Sequence, residues 1–248
     1  DGILLSRPFR SPHHTASYIA LTGGGQNAKP GEISLAHNGV LFLDEVPEYS
    51  RHSLESLRQP LEDKVITIAR ANKTVTYPAN FMLIASMNPC PCGNYGSKTK
   101  ECTCTVTQIQ NYLHKLSGPL MDRIDLHVEV DSVSYGELVS EETAEPSSKV
   151  KERINAARAV QAERFTGQDI RTNSQMSAQL TKKYCSLDDK GNVLMESAFR
   201  NLQLSARARD RILKVARTIA DLEGSADIAA KHVAEAVQYR SLDKKYRV

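Results

Sequence analysis

Two adjacent carboxylates close an apolar run, Gly39-Val-Leu-Phe-Leu-Asp44-Glu45. A run of this kind reads as a strand of a parallel sheet, and the C-terminal edge of such a strand is where open α/β sheets bind ligands. Asp44 is a candidate ligand for Mg²⁺, directly or through water, and Glu45 a candidate to activate water for attack on a phosphate. Taken alone, the same residues also fit a strand that ends in a solvated acidic turn. A second apolar run, Phe81-Met-Leu-Ile-Ala-Ser86, is followed by Met87 and Asn88. An amide at the tip of a neighbouring strand would orient the same water. Arg123 sits in the turn-like Ser117-Gly-Pro-Leu-Met-Asp-Arg123, and Arg207 stands near the start of a helix that Ser205 opens. A cation at a helix N-terminus is badly matched to the helix dipole, which points to an anionic ligand there. Each arginine by itself is also explained by solvation or a surface salt bridge.

The second cluster is sulfur. Of the five cysteines, Cys90, Cys92, Cys102 and Cys104 form two Cys-x-Cys pairs, while Cys185 stands alone in the second half. In a reducing compartment four thiolates favour a tetrahedral structural Zn²⁺ site. The pairs are tighter than the usual two-residue spacing, so free or redox-active thiols and an Fe–S cluster stay open as alternatives. Arg10, His13 and His14, with Gly23-Gly-Gly25, form a candidate substrate-facing loop or an ordinary polar surface loop.

These residues need elements to position them. The first half reads as mixed α/β, with both apolar runs as strands buried on both faces. Between them, Leu54, Leu57 and Leu61 recur at helical spacing, and Pro60 kinks or restarts that helix. Val65–Ala69 and Thr74–Tyr77 flank a turn at Ala71-Asn72-Lys73 and predict a hairpin, and Leu126-His-Val-Glu-Val130 alternates as a last strand. Residues 132–149 read as a linker. From residue 150 to 248 every pattern is helical: Val150, Ile154, Ala157 and Val160 form one stripe, and Leu194, Ala198, Phe199 and Leu202 a second. Ala208, Ile212, Val215, Ala216, Ile219 and Leu222 form a third, capped by Ser205 and stopped by Gly224, with Val233, Ala236 and Val237 on a fourth.

Composition sets limits on the alternatives. The chain has 248 residues, 40% hydrophobic and 25% charged, which excludes disordered and fibrous classes. Its apolar runs fall far short of the about 20 residues of a bilayer span, so no membrane partner is expected. A net charge of +3 neither announces nor excludes nucleic acid. The cysteine usage suits the cytoplasm.

The ordered set resembles a family. Gly39-Val-Leu-Phe-Leu-Asp-Glu45 resembles the Walker B strand of AAA+ ATPases, Asn88 their sensor 1, Arg123 their arginine finger and Arg207 their sensor 2 arginine. Arg7-Pro-Phe-Arg-Ser-Pro-His-His14, Leu57-Arg-Gln-Pro-Leu-Glu62, Asn88-Pro-Cys-Pro-Cys-Gly93 and Ala216-Arg-Thr-Ile-Ala-Asp-Leu-Glu-Gly224 are similar to the magnesium-chelatase-like branch of the ComM/YifB type. The resemblance implies an α/β AAA+ core over 1–131, a linker over 132–149 and an all-helical lid over 150–248. It implies ATP and Mg²⁺ as cofactors, a ring, expected to be a hexamer, and DNA as the partner that is remodelled or branch-migrated. It assigns Asp44 to Mg²⁺, Glu45 to polarising water, Asn88 to placing it, Arg207 to the γ-phosphate in cis and Arg123 to the neighbouring subunit's site. A non-catalytic zinc-containing interaction module and a magnesium-chelatase ATPase subunit are the other readings.

One part of the pattern is missing. The family requires Gly-x-x-x-x-Gly-Lys-[Ser/Thr] ahead of the Asp-Glu strand. In Gly23-Gly-Gly-Gln-Asn-Ala-Lys29 no glycine precedes the lysine and Pro30 follows it. The expectation is a C-terminal portion of a longer ATPase that begins after its nucleotide loop and is inactive alone.

Overall fold

The structure, a computed structural model, describes residues 6–70, 73–97, 99–131, 133, 139 and 144–240. The turn residues Ala71 and Asn72 and most of the 132–149 linker lie outside the described residues. The chain divides into two compact units, Asp1–Ile124 and Asp125–Arg247.

The first unit is built on a parallel sheet of β1 (Phe9–Arg10), β4 (Val40–Leu43) and β7 (Met82–Ala85), in the order β1-β4-β7. The register runs from Val40 opposite Met82 to Leu43 opposite Ala85, so the two apolar runs are neighbours and end together. Leu41 and Leu43 enter the core with Leu21, Ile33, Leu54, Leu57 and Leu120. Burial on both faces does not hold. Val40 and Phe42 are half-buried, and Met82 and Ile84 are exposed: the register puts these four on one face of the sheet, which stays partly open among the described residues while Leu41 and Leu43 face the core. β5 (Val65–Arg70) and β6 (Lys73–Pro78) form the expected antiparallel hairpin.

The leucine-rich segment is two helices, Arg51–Glu55 and Arg58–Asp63. The break comes at Ser56-Leu57, ahead of Pro60, which sits in the first turn of the second helix. A missing N–H costs nothing there, since the first N–H groups of a helix have no intrahelical acceptor. The glycine run forms β2 (Gly23–Gly24), antiparallel to β3 (Lys29–Pro30). Gly23 has φ +91°, and a Cβ there would stand 2.4 Å from the Lys29 carbonyl oxygen. These glycines make a tight hairpin, not a phosphate loop.

Leu126–Val130 forms no strand among the described residues. Leu126, Val128 and Val130 are 49, 64 and 87% exposed, while His127 is buried and donates its N–H to the Tyr239 carbonyl. Alternation alone cannot make a strand where no ladder partner lies alongside.

The second unit is helical: Ser147–Arg164, Ala178–Tyr184, Asp189–Asn201, Ala206–Glu223 and Ala230–Gln238. Its core gathers Phe165, Met176, Met195, Ile212, Ala216, Ala220 and Val233. Cys185 belongs to this core, and burial pushes its thiol up to about 11. The long central helix starts and stops as expected: Ser205 accepts the Ala208 N–H at 3.1 Å, and Gly224 ends it at φ 75°. The first helix begins at Ser147 and turns a different face inward. Ala157 and Gln161 are buried, whereas Ile154 and Val160 are 46 and 41% exposed. The reason is polar. Gln161 accepts the Asn173 N–H, and Arg164 pairs with Asp221, so this face serves a buried network.

Candidate nucleotide site and cysteine cage

The parallel register decides what surrounds Asp44. With Leu43 opposite Ala85, the Ser86 N–H donates to the Leu43 carbonyl and the Val46 N–H to the Ser86 carbonyl, each at 3.0 Å. The two strand tips are thereby stitched together one residue beyond the ladder. The Ser86 hydroxyl donates to Asp44 Oδ1, which also accepts the Glu45 N–H at 3.0 Å. Both bonds use the same oxygen, so Oδ2 stays available on an exposed carboxylate. Glu45 then turns the chain sharply, at φ 50° and ψ 49°, into the 3₁₀ turn Val46–Glu48. A left-handed non-glycine residue carries a conformational cost of about 1–3 kcal/mol, and such residues cluster at functional sites.

The Pro12–His14 segment closes over this corner. The Tyr49 hydroxyl donates to the Pro12 carbonyl at 2.6 Å. His14 Nδ1 lies 3.5 Å from the Glu45 carboxylate, and its ring packs 4.0 Å from that of His13. Burial, and then the charge of Asp44, push the Tyr49 phenol above its ordinary value. The histidines therefore serve the Asp-Glu corner through His14. Arg10 forms a two-pronged bond with Glu32, both contacts at 2.6 Å.

Asn88 is exposed just beyond β7, beside the buried Tyr112. Burial pushes that phenol up to about 12, and the charge of Glu48 and, more weakly, those of Cys90 and Glu45 add to it. Arg123 follows the short Gly118–Met121 helix. It donates to the Pro119 carbonyl at 2.7 Å and pairs with Glu62. Its side chain is only 9% exposed and lines an open cleft of about 330 Å³ with Glu55, Arg58, Gln59, Glu62 and Asp63. Arg207 lies exposed in the first turn of the Ala206–Glu223 helix, in the second unit.

The four cysteines converge. Their sulfurs all lie within 4.8 Å of one another, with Cys90–Cys92 at 3.4 Å, Cys92–Cys102 at 3.6 Å and Cys90–Cys102 at 3.7 Å. A tetrahedron of Zn–S bonds of about 2.3 Å has edges of about 3.8 Å. The sulfurs are already arranged to take such an ion. The Tyr95 N–H donates to Cys90 at 3.3 Å, and backbone bonds from Asn94 and then Thr103 bring the Cys92 thiol down to about 5. Backbone N–H groups aimed at sulfur are what a metal-bound thiolate needs.

Four contributors escaped sequence reasoning: Ser86 on Asp44, His14 on Glu45, Tyr112 on Asn88 and Glu62 on Arg123. Ser86 and His14 lie within strings already singled out, but their partners are set by strand register. Nothing in the sequence signalled Tyr112.

A family model described as magnesium chelatase, subunit ChlI, matches residues 1–138, and one described as its C-terminal part matches 144–240. The chain is 47% identical to the competence protein ComM of Haemophilus influenzae over 95% of its own length and 45% of that protein's. It is 45% identical to YifB of Escherichia coli, over 96% of this chain and 46% of that protein. Against the chloroplastic magnesium-chelatase subunit ChlI-2 of Arabidopsis thaliana it is 25% identical, over 86% of this chain and 45% of that protein. The chain spans about half the length of the curated relatives it matches.

Proposed function

The chain belongs to the magnesium chelatase ChlI family, and from that premise we propose that it carries the water-activating part of an ATP-hydrolysing site in a longer AAA+ protein of the ComM/YifB type. That protein would couple ATP turnover to DNA remodelling or branch migration. The observation that supports the reading most is the union of two strand tips, with Asp44 and Glu45 on one and Ser86 to Asn88 on the other. Higher identity to the competence protein and YifB, at 45–47%, than to the chloroplast subunit, at 25%, favours DNA work over metal insertion into a tetrapyrrole.

Asp44 fits Mg²⁺: its Oδ1 is held by Ser86 and by its own neighbour's N–H, which leaves Oδ2 of this exposed carboxylate for the ion. Bound Mg²⁺ offsets the phosphates' negative charge. Glu45 polarises the attacking water, and Asn88 places it. His14 orients the Glu45 carboxylate from 3.5 Å. Arg207 senses the γ-phosphate from the helical lid, residues 150–248. Arg123 reaches a neighbouring subunit's site within a hexameric ring, so its pair with Glu62 must open on assembly. Residues 1–248 contain no Gly-x-x-x-x-Gly-Lys loop, and the rest of the protein supplies it. The cysteine cage takes one Zn²⁺ in a structural role, which suits a cytoplasmic setting. Among the described residues no helix is long and apolar enough to cross a membrane.

The test is a DNA-stimulated ATPase assay on the whole protein. Glu45→Gln should bind ATP as tightly as the parent and hydrolyse it at least about a hundredfold more slowly, the usual scale for losing a positioned base. Full turnover in that variant would sink the assignment.

A further inference from the structure

Residues 86–105 join β7 to the Val106–Leu113 helix and contain no helix or strand among those described. Loops of that length without secondary structure are uncommon in compact domains and are usually either functional or loosely ordered. The apolar core does not hold this one, since Cys90 is its only buried residue among those described. What gathers it is the sulfur cluster.

Asn88 stands on a closed circuit of contacts that runs through that cluster. From Asn88 the chain passes Pro89 into Cys90, whose sulfur lies 3.7 Å from that of Cys102. Cys104 leads directly into Thr105, which caps the Val106–Leu113 helix in a reciprocal box with Gln108. That helix carries the buried Tyr112 back beside Asn88. The amide side chain borders the same loop: a Cβ at Gly93 would lie 4.0 Å from Asn88 Oδ1.

We propose that a zinc ion in the Cys90–Cys92–Cys102–Cys104 cage acts as the positioning device for Asn88, so that metal occupancy controls where the water-orienting amide stands. The inference rests on the zinc and ATPase readings above. Four ligand bonds would close the circuit covalently in effect, removing the freedom of a loop that little else restrains. With the cage empty, Asn88 keeps only the Tyr112 contact and the end of β7. The cage makes no contact with nucleotide in this scheme. It acts through Asn88 and the Thr105-capped helix.

Three measurements separate the layers. Elemental analysis of residues 1–248 and of the whole protein, purified without chelator, should find one zinc per chain. No metal, or iron with visible absorption, overturns the proposal. Hydrogen exchange then compares zinc-loaded with zinc-stripped protein. The Gly93 and Tyr95 amides, which bond the Cys90 carbonyl and sulfur beside Asn88, and those of the Val106–Leu113 helix should exchange about tenfold or more faster after stripping, the scale of losing one hydrogen bond. The Leu41 and Leu43 amides of β4 should keep their protection. Unchanged exchange at Gly93 and Tyr95, or loss of protection across β4 as well, overturns the local role. In the whole protein, stripping should lower kcat to the level of Asn88→Ala without raising KM for ATP, and stripping the Asn88→Ala variant should change nothing further. Additive losses would overturn it. A whole protein that hydrolyses no ATP in any form refutes the ATPase reading instead, and the exchange result then decides the positioning role alone.

Discussion

Truncating Asp221 to alanine should cost the helical unit on the order of 3–5 kcal/mol, the scale for breaking a buried charge pair. Its carboxylate is fully buried and accepts four hydrogen bonds: Arg164 at 2.5 and 2.7 Å, Asn173 at 2.8 Å and the Arg217 Nε at 3.0 Å. Arg217 is 3% exposed, and its other nitrogens are spent on the Ser225 and Ala226 carbonyls, so it cannot swing out to water. The variant therefore strands a buried cation beside a second, Arg164, that is 13% exposed. For a unit of this size each kcal/mol is worth about 3–5 °C, which puts the fall in Tm at about 10 °C or more. Calorimetry on the full chain, with hydrogen exchange along Ala206–Glu223 to assign the transition, measures it. Acid provides a second check. Burial works against ionisation, yet the bonds from Arg164 and Asn173 hold the carboxyl below its ordinary value. A depressed folded pKa adds stability above the unfolded value of about 3.9, and that stability fades as pH falls through the folded one. Parent and variant should converge in that acid range, whereas added salt should hardly narrow the gap, because buried pairs are poorly screened. A loss under about 1 kcal/mol at neutral pH, or a gap that acid leaves unchanged, would refute the reasoning.

Other expectations follow from the site. In the whole protein, Arg123→Ala should cut turnover by up to about 10³–10⁵-fold if the residue acts in trans, and mixing those subunits with Glu45→Gln subunits should restore part of it. No recovery in the mixtures would argue against a shared site. Residues 1–248 alone should show neither micromolar ATP binding by calorimetry nor phosphate release, since they hold no backbone nest or lysine for the phosphates. Ser205→Ala should destabilise the Ala206–Glu223 helix by about 1 kcal/mol, read as a fall in Tm, because the Ala208 N–H loses its acceptor.

The Ala216–Gly224 string illustrates how far the sequence speaks. Its family likeness was plain, but the reason for its charged residues was not. Arg217 and Asp221 are four apart on one helix, a spacing that usually means a solvated pair, yet both are buried. Their burial depends on Arg164 and Asn173, brought from elsewhere in the chain. The Asp-Glu strand shows the converse. Its neighbour, its parallel sense and the placing of Asn88 beyond the next strand follow from two apolar runs, but the grip of Ser86 and His14 on the carboxylates does not.

What the sequence by itself determined are the features whose physics is local. Ser205 and Gly224 cap a helix within one turn, the short apolar runs become strands, and two Cys-x-Cys pairs already hold their sulfurs close. Only the tertiary structure decided features that need a partner from far along the chain. Leu126–Val130 alternates but has no ladder among the described residues, the Ser147–Arg164 helix turns Gln161 inward over Val160, and Arg123 is held by Glu62. Alternation, amphipathic stripes and charge each describe what one segment can offer. Which offer is taken depends on the hydrogen-bond and charge partners that the fold brings alongside, because a buried polar group is stable only where those partners stand.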